Sequence, residues 1–200
     1  MGRVKTFNRD EAVIKVMYEI WEKGYEACSV KSLSESLGLT RSSFYNAFGS
    51  REELFLEVLE VYFAQSIDAN LQYINANDDI LLSICKVFKS VCDIRAEDSE
   101  HKGCLAVNSI IELVGTDEKV GPILADTVQK SVTRFEHLLE LAASKGELEA
   151  NNLRNKALAL QNLLIGINVL CKVIHDNKTL WQSTKSTLLG LGVYKASFSL

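Results

Sequence analysis

With 200 residues, 47% of them hydrophobic, 24% charged and only one proline, the chain has room for one large or two small domains. The composition is that of a soluble, mostly helical protein in which strands have little place. A formal net charge of −4 excludes a broadly basic nucleic-acid binder, so any such role must rest on a few placed cations. Residues 1–50 carry seven Lys and Arg against six Asp and Glu, whereas residues 51–200 carry fifteen against twenty.

Arg3, Lys5 and Arg9 form a short basic arm at the start; it reads equally as a contact for phosphates or a minor groove and as a frayed, solvated tail. Asn8 and Glu11 stand in capping-box spacing and open a helix to about Lys23, with Val13, Val16, Met17, Ile20 and Trp21 on one face. Ser29 starts a second helix whose apolar residues are Val30, Leu33 and Leu37 and whose polar face carries Lys31, Ser32, Glu35 and Ser36. Gly38 ends it, because glycine enters the left-handed region without a Cβ penalty. Thr40 then caps a third helix, Arg41 to Phe48, with Phe44, Ala47 and Phe48 inward and Thr40, Arg41, Ser42, Ser43, Tyr45 and Asn46 outward. Short hydrogen-bonding groups with one guanidinium at the N-terminal end of a short helix suit phosphate and base-edge contacts in a major groove. This is the grammar of a DNA-reading helix-turn-helix.

Gly49 stops the third helix, and Ser50 with Glu53 caps the next. That helix is predicted to run from Arg51 to about Ile74, with Phe55, Leu59, Phe63, Ile67 and Leu71 in one i+4 row, long enough to join two domains and carry a tilt between them. Asn77 or Asp78 starts the following helix through Ile84, Val87, Phe88 and Val91, and the polar run Ala96 to Lys102 is a loop. A short helix from Gly103 to about Val114 follows, then one opened by Thr116 that reaches about Ser144, with Gly146 closing it. The last two are predicted at about Leu153 to Ile174 and Lys178 to Leu191. The first of these is apolar on its inner stripe and again at Leu158, Ile165 and Val169, which demands burial all round and so a second copy of the chain against its outer face.

The stretch LGLTRSSFYNAFGSREELF, Leu37 to Phe55, resembles the TetR/AcrR family of one-component bacterial regulators, with Gly38, Tyr45, Phe48, the Gly49-Ser50-Arg51 turn and Leu54 at family positions. The resemblance runs from Phe7 to about Tyr62, with smaller agreements at GCLAVNS (Gly103 to Ser109) and KGEL (Lys145 to Leu148). Two residues depart from it: Arg51 stands for a lysine, keeping the charge and adding a fork for phosphate, and Ser34 stands for an alanine. The resemblance implies an all-α protein divided into a DNA-binding domain, 1–50, and a helical effector-binding and dimerisation domain, 51–200. It implies a homodimer through the last two helices, and two reading heads spaced about 34 to 36 Å apart, or a multiple of it, for a palindromic operator. Lys31, Thr40, Arg41, Ser42, Ser43, Tyr45, Asn46 and Arg51 are the expected contacts to double-stranded DNA.

Catalysis is not expected. Three histidines without metal spacing, and no GxSxG, P-loop or dinucleotide fingerprint, leave no enzyme, metal or cofactor signature. Five cysteines without CxxC spacing argue against a disulfide framework or a zinc site and for a reducing cytoplasm. No segment reads as a signal peptide or membrane span, since Gln161, Asn162 and Asn168 interrupt the longest uncharged stretch. Cys104, after His101, Lys102 and Gly103 at a helix start, has two readings, an electrophile or oxidant sensor resolved by Cys85 or Cys92, and a small packing residue. Phe63, Phe88, Asn108, Phe135, Gln161 and Asn162 are candidates to line a pocket for a small-molecule effector, or else ordinary core. The function that fits is a repressor released from its operator by a small molecule or thiol modification. A helical adaptor that keeps the fold without operator binding is the alternative, disfavoured by the polar face Thr40 to Asn46.

Overall fold

A computed structural model of the chain describes residues 8–198. Among them are nine α-helices, one 3-10 helix and no strand. The N-terminal head is α1 (Arg9–Lys23), α2 (Val30–Leu37) and α3 (Arg41–Phe48). Each is started by the side chain its sequence provides: Asn8 accepts from the Glu11 amide, Ser29 from Ser32 and Thr40 from Ser43. Local caps of this kind act through residues three positions away, which is why these starts agree with the sequence reading.

Beyond the head, α4 (Arg51–Gln65) ends well before Ile74, and the chain continues as a 3-10 helix, Ile67–Gln72. This corrects the single long helix expected from the i+4 row. At the far end of that segment the Arg134 guanidinium, remote in the chain, donates to the carbonyls of Leu71 at 3.0 Å, Gln72 at 3.2 Å and Ile74 at 2.5 Å. The helix breaks at Ser66, which is extended, and the carbonyls bonded by Arg134 do not carry a helical ladder past Gln72.

Next come α5 (Ile80–Glu97), α6 (Leu105–Leu113), α7 (Val120–Ser144), α8 (Leu153–Leu170) and α9 (Asn177–Gly190). The cap of α5 is Asp79, accepting from Leu82 at 3.0 Å, because Asp78 and Asn75 are already spent on each other's loop. Ala96 and Glu97, expected in the loop, close α5. Helix α7 starts later than Thr116, with Asp117 accepting from the amides of Lys119 and Val120. Helix α8 stops at Leu170, short of the predicted Ile174.

Two apolar cores result. One gathers α5, α7, α8 and α9 around Phe88, Phe135, Leu160 and Leu188. The other holds the head together with Leu54 to Tyr62 of α4 and Cys104 to Leu124 of α6 and α7. The head therefore shares its core with the segment after residue 50, and the cap at Ser50 marks a turn in the backbone without a break in the packing. No helix among the described residues is long and apolar enough to cross a membrane.

Candidate nucleic-acid interface and cavity

Helix α3 hides Phe44 and Phe48, whose rings lie 5.2 Å apart in the head core, and turns its remaining residues outward. Arg41, Ser42, Ser43, Tyr45 and Asn46 are all exposed, as is Thr40 before them. The Thr40 hydroxyl lies 3.0 Å from that of Ser42 and 2.9 Å from that of Ser43, a hydroxyl cluster at the N-terminal end of the helix. Unsatisfied amides and the positive end of the helix dipole favour an anion at that end. Arg41 makes no ion pair among the described residues, and Tyr45 stands against Phe44 edge to face with half its surface in solvent. Lys31 lies exposed on α2, 4.0 Å from Glu35. The face thus offers one unengaged guanidinium, hydroxyls, an amide and a phenol, the donor set for base edges and phosphates.

A second feature is a cavity of about 320 Å³ enclosed by the end of α4, the 3-10 helix, α6, α7 and α8. Its wall is mostly apolar, with Phe63, Leu71, Val107, Ile110, Leu164 and Ile165, and carries polar points at Cys104, Gln161, Asn168 and Arg134. Gln161 accepts from the Ser131 hydroxyl at 2.6 Å. Cys104 occupies the N-cap position of α6, and the Tyr62 hydroxyl donates to its sulfur at 3.1 Å. Arg95, buried, donates to that hydroxyl at 3.3 Å and to Asn168 Oδ1 at 2.6 Å. Gly103 must be glycine: its φ is 70°, and a Cβ there would lie 2.5 Å from the Asn168 carbonyl. The close approach of the loop to α8 sets Cys104 on the cavity wall.

Comparison with known proteins agrees with this geometry. The family model described as bacterial regulatory proteins, tetR family, matches residues 17–58. An uncharacterised HTH-type transcriptional regulator of Bacillus subtilis, YezE, is 26% identical over 178 residues, which is 88% of this chain and 92% of that protein. The HTH-type transcriptional repressor ComR of Escherichia coli is 30% identical over 115 residues, spanning 56% of this chain and 54% of ComR. The structure of a cysteine-substituted TetR family regulator, CifR, in complex with 26-bp double-strand operator DNA superposes with a TM-score of 0.80 at 25% identity, covering 94% of this chain and 98% of that one. Residues 17–58 are a TetR-family DNA-binding head. The protein is a DNA-binding transcriptional regulator of the helix-turn-helix type.

Within this TetR-family framework several expected site residues take other positions. Arg51 faces inward, its guanidinium 4.0 Å over the Tyr25 ring and bonded to the Tyr25 carbonyl at 3.4 Å and to Glu26 at 3.2 Å, so it braces the head and is not presented to phosphate. Arg9 is likewise engaged, forked onto Glu57 at 2.5 and 2.6 Å and lying over Phe48, while Arg3 and Lys5 fall outside the described residues. Of the pocket candidates, Phe63 and Gln161 line the cavity. Phe88 and Phe135 do not: they stack on each other at 6.0 Å inside the closed core. Asn108 faces a different crevice and donates to the Lys102 carbonyl, and Asn162 is exposed in the groove between α8 and α9. Ile165, expected on the outer face, lines the cavity, whereas Leu158 and Val169 are exposed.

Sequence reasoning missed Tyr62, Arg95, Ser131 and Arg134. Arg95 had a signal, since it continues the stripe Phe88, Val91 and Cys92 and so puts a cation on the buried face of α5. All five cysteines are free thiols and buried. Cys85 and Cys92 belong to the other core, where Cys85 meets the Val193 carbonyl and Cys92 the Thr184 hydroxyl, which removes them as resolving partners in this arrangement. Burial pushes the thiols of Cys28, Cys85, Cys92 and Cys171 up.

Proposed function

We propose that the protein is a repressor that binds a palindromic double-stranded operator as a homodimer in the cytoplasm and is released when a small molecule fills the cavity or modifies Cys104. The observation that carries the DNA reading is the exposed face Thr40 to Asn46 on a helix whose other side is locked by Phe44 and Phe48. Arg41 reads a base edge, and Thr40, Ser42, Ser43, Tyr45, Asn46 and Lys31 hold phosphates or neighbouring bases. The operator-bound CifR structure supports a duplex DNA partner for this fold.

Dimerisation is supported by the groove between α8 and α9, which carries Leu163, Gly166, Leu170 and Ile174. Gly166 has nothing within 4 Å of where a Cβ would sit, and Leu158, Val169 and Leu170 are about two-fifths exposed. A partner's helices against this face bury it. Control by Cys104 is supported by its sulfur sitting on the cavity wall beside Tyr62, where an electrophile in the cavity meets it. Five free cysteines suit a reducing compartment.

Selection of bound sequences from random duplex DNA by the purified protein tests the reading. An inverted repeat is expected; recovery of no sequence preference overturns the regulator in favour of an adaptor. In the operator complex, an electrophile such as N-ethylmaleimide should release the wild type and leave Cys104→Ser bound, and equal release of both dismisses the thiol switch.

A further inference from the structure

We infer that Glu112 couples the cavity to the reading head, its carboxylate holding the turn between α1 and α2 to α6; the inference rests on the cavity being the control site. Glu112 Oε2 accepts from the Tyr25 amide at 3.0 Å and Oε1 from the Glu26 amide at 2.8 Å. These two consecutive amides follow the end of α1, where no helical carbonyl is in register for them, so one carboxylate satisfies both with charge-assisted bonds. The same turn is held from its other side by Arg51, on the Tyr25 carbonyl, the Glu26 carboxylate and the Tyr25 ring. Tyr25 itself is fully buried, its ring 4.7 Å from that of Phe55 on α4. Tyr25–Glu26 is therefore a joint gripped by α4 and α6 together, three residues before the Ser29 cap that starts α2.

Helix α6 is the piece that sees the cavity. Cys104 caps it, and Ala106, Val107 and Ile110 are on the cavity wall. Glu112 lies on the same helix, about 12 Å along the axis from Cys104 at about 1.5 Å per residue. A two-turn helix moves as a rod, so a group that displaces its cavity face displaces the carboxylate with it. Hydrogen bonds of 2.8 and 3.0 Å weaken over a few tenths of an ångström. The clamp is made in one position of α6 and lost or dragged in another, and this supplies the difference between states that a ligand needs in order to shift an equilibrium. Glutamate alone offers one carboxylate oxygen to each amide, whereas glutamine has a single acceptor oxygen for the two and alanine has none.

The test uses the full chain, an operator from the selection above, and two perturbations of the cavity: N-ethylmaleimide at Cys104, with labelling read by mass spectrometry, and Ser131→Trp, which drives an indole in from α7. In the parent, each should weaken operator binding by about tenfold or more, within the usual range for coupled sites. In Glu112→Ala the same labelling, and Ser131→Trp in that background, should change affinity by less than about threefold, with Glu112→Gln between the two. Hydrogen exchange should show the Tyr25 and Glu26 amides newly exposed in Glu112→Ala while amides of α1 and α4 stay protected, which establishes that the head is folded. A response kept at full size in folded Glu112→Ala or Glu112→Gln overturns the coupling role alone. Parent affinity unmoved by both perturbations overturns the cavity reading, and the coupling with it.

Discussion

Arg41 and Arg51 bracket the reading helix with the same guanidinium and opposite surroundings. Arg41 is exposed and outside any ion pair among the described residues, so Arg41→Ala should cost about 1 to 3 kcal/mol of operator binding and relax preference at one position per half-site. Titrations against duplexes substituted one position at a time check this, and unchanged affinity with unchanged preference removes α3 from base reading. Arg51 is stacked on Tyr25 and hydrogen-bonded to the same turn. Arg51→Ala should therefore lower the stability of the head by about 1 to 2 kcal/mol and leave the salt dependence of DNA binding as it was. A phosphate ligand would instead reduce the salt slope by about one. Residue type was legible in the sequence for both; direction was not, because whether an arginine faces DNA or an aromatic ring depends on Tyr25, which is 26 positions away.

At the scale of elements, ends are set by caps when the cap is local and by tertiary contacts when it is not. Asp117 illustrates the first case: it accepts from Val120 at 2.7 Å and Lys119 at 2.9 Å. The bond from the Val120 amide holds its carboxyl below the usual aspartate range. A depressed pKa in the folded state means that the contribution is present above the ordinary aspartate value of about 3.9 and is lost as pH falls through the folded value. Asp117→Ala should thus cost about 1 kcal/mol at neutral pH, with wild type and variant converging in acid. Denaturant melts at pH 7 and near pH 3 measure it; a gap that stays constant or widens in acid contradicts the cap. The 3-10 segment Ile67–Gln72 illustrates the second case, since its apolar residues keep helical spacing while Arg134 of α7 takes up the carbonyls of Leu71, Gln72 and Ile74.

For the whole molecule, the groove between α8 and α9 is where two copies meet in the proposed dimer. Leu170→Glu, or Gly166→Arg, buries an unpaired charge in that seam and should give monomers with unchanged helicity and much weaker operator binding, because one head then binds without the other. Sedimentation decides the matter: a dimer that survives both substitutions removes the groove from the interface. Ile165→Glu is expected to act differently, placing a carboxylate in the cavity wall and leaving dimerisation intact.

The helix starts and stops between residues 29 and 55 were readable from sequence because what sets them is local: Ser29, Thr40 and Ser50 each satisfy an amide three positions on, and glycines follow α2 and α3 directly. The core of the family resemblance and the polar reading face came from those residues. The cavity could not be read the same way. Apolar periodicity tells which side of a helix is buried and is silent on whether that side meets a solid core or a void, so Phe88 and Phe135 looked as much like pocket as Phe63 did. Tertiary structure decided between them, as it decided the end of the 3-10 segment, the inward turn of Arg51 and the grip of Glu112 on an amide pair 86 and 87 positions away. Each of these depends on distances between segments remote in the chain, which only the packing of the helices determines.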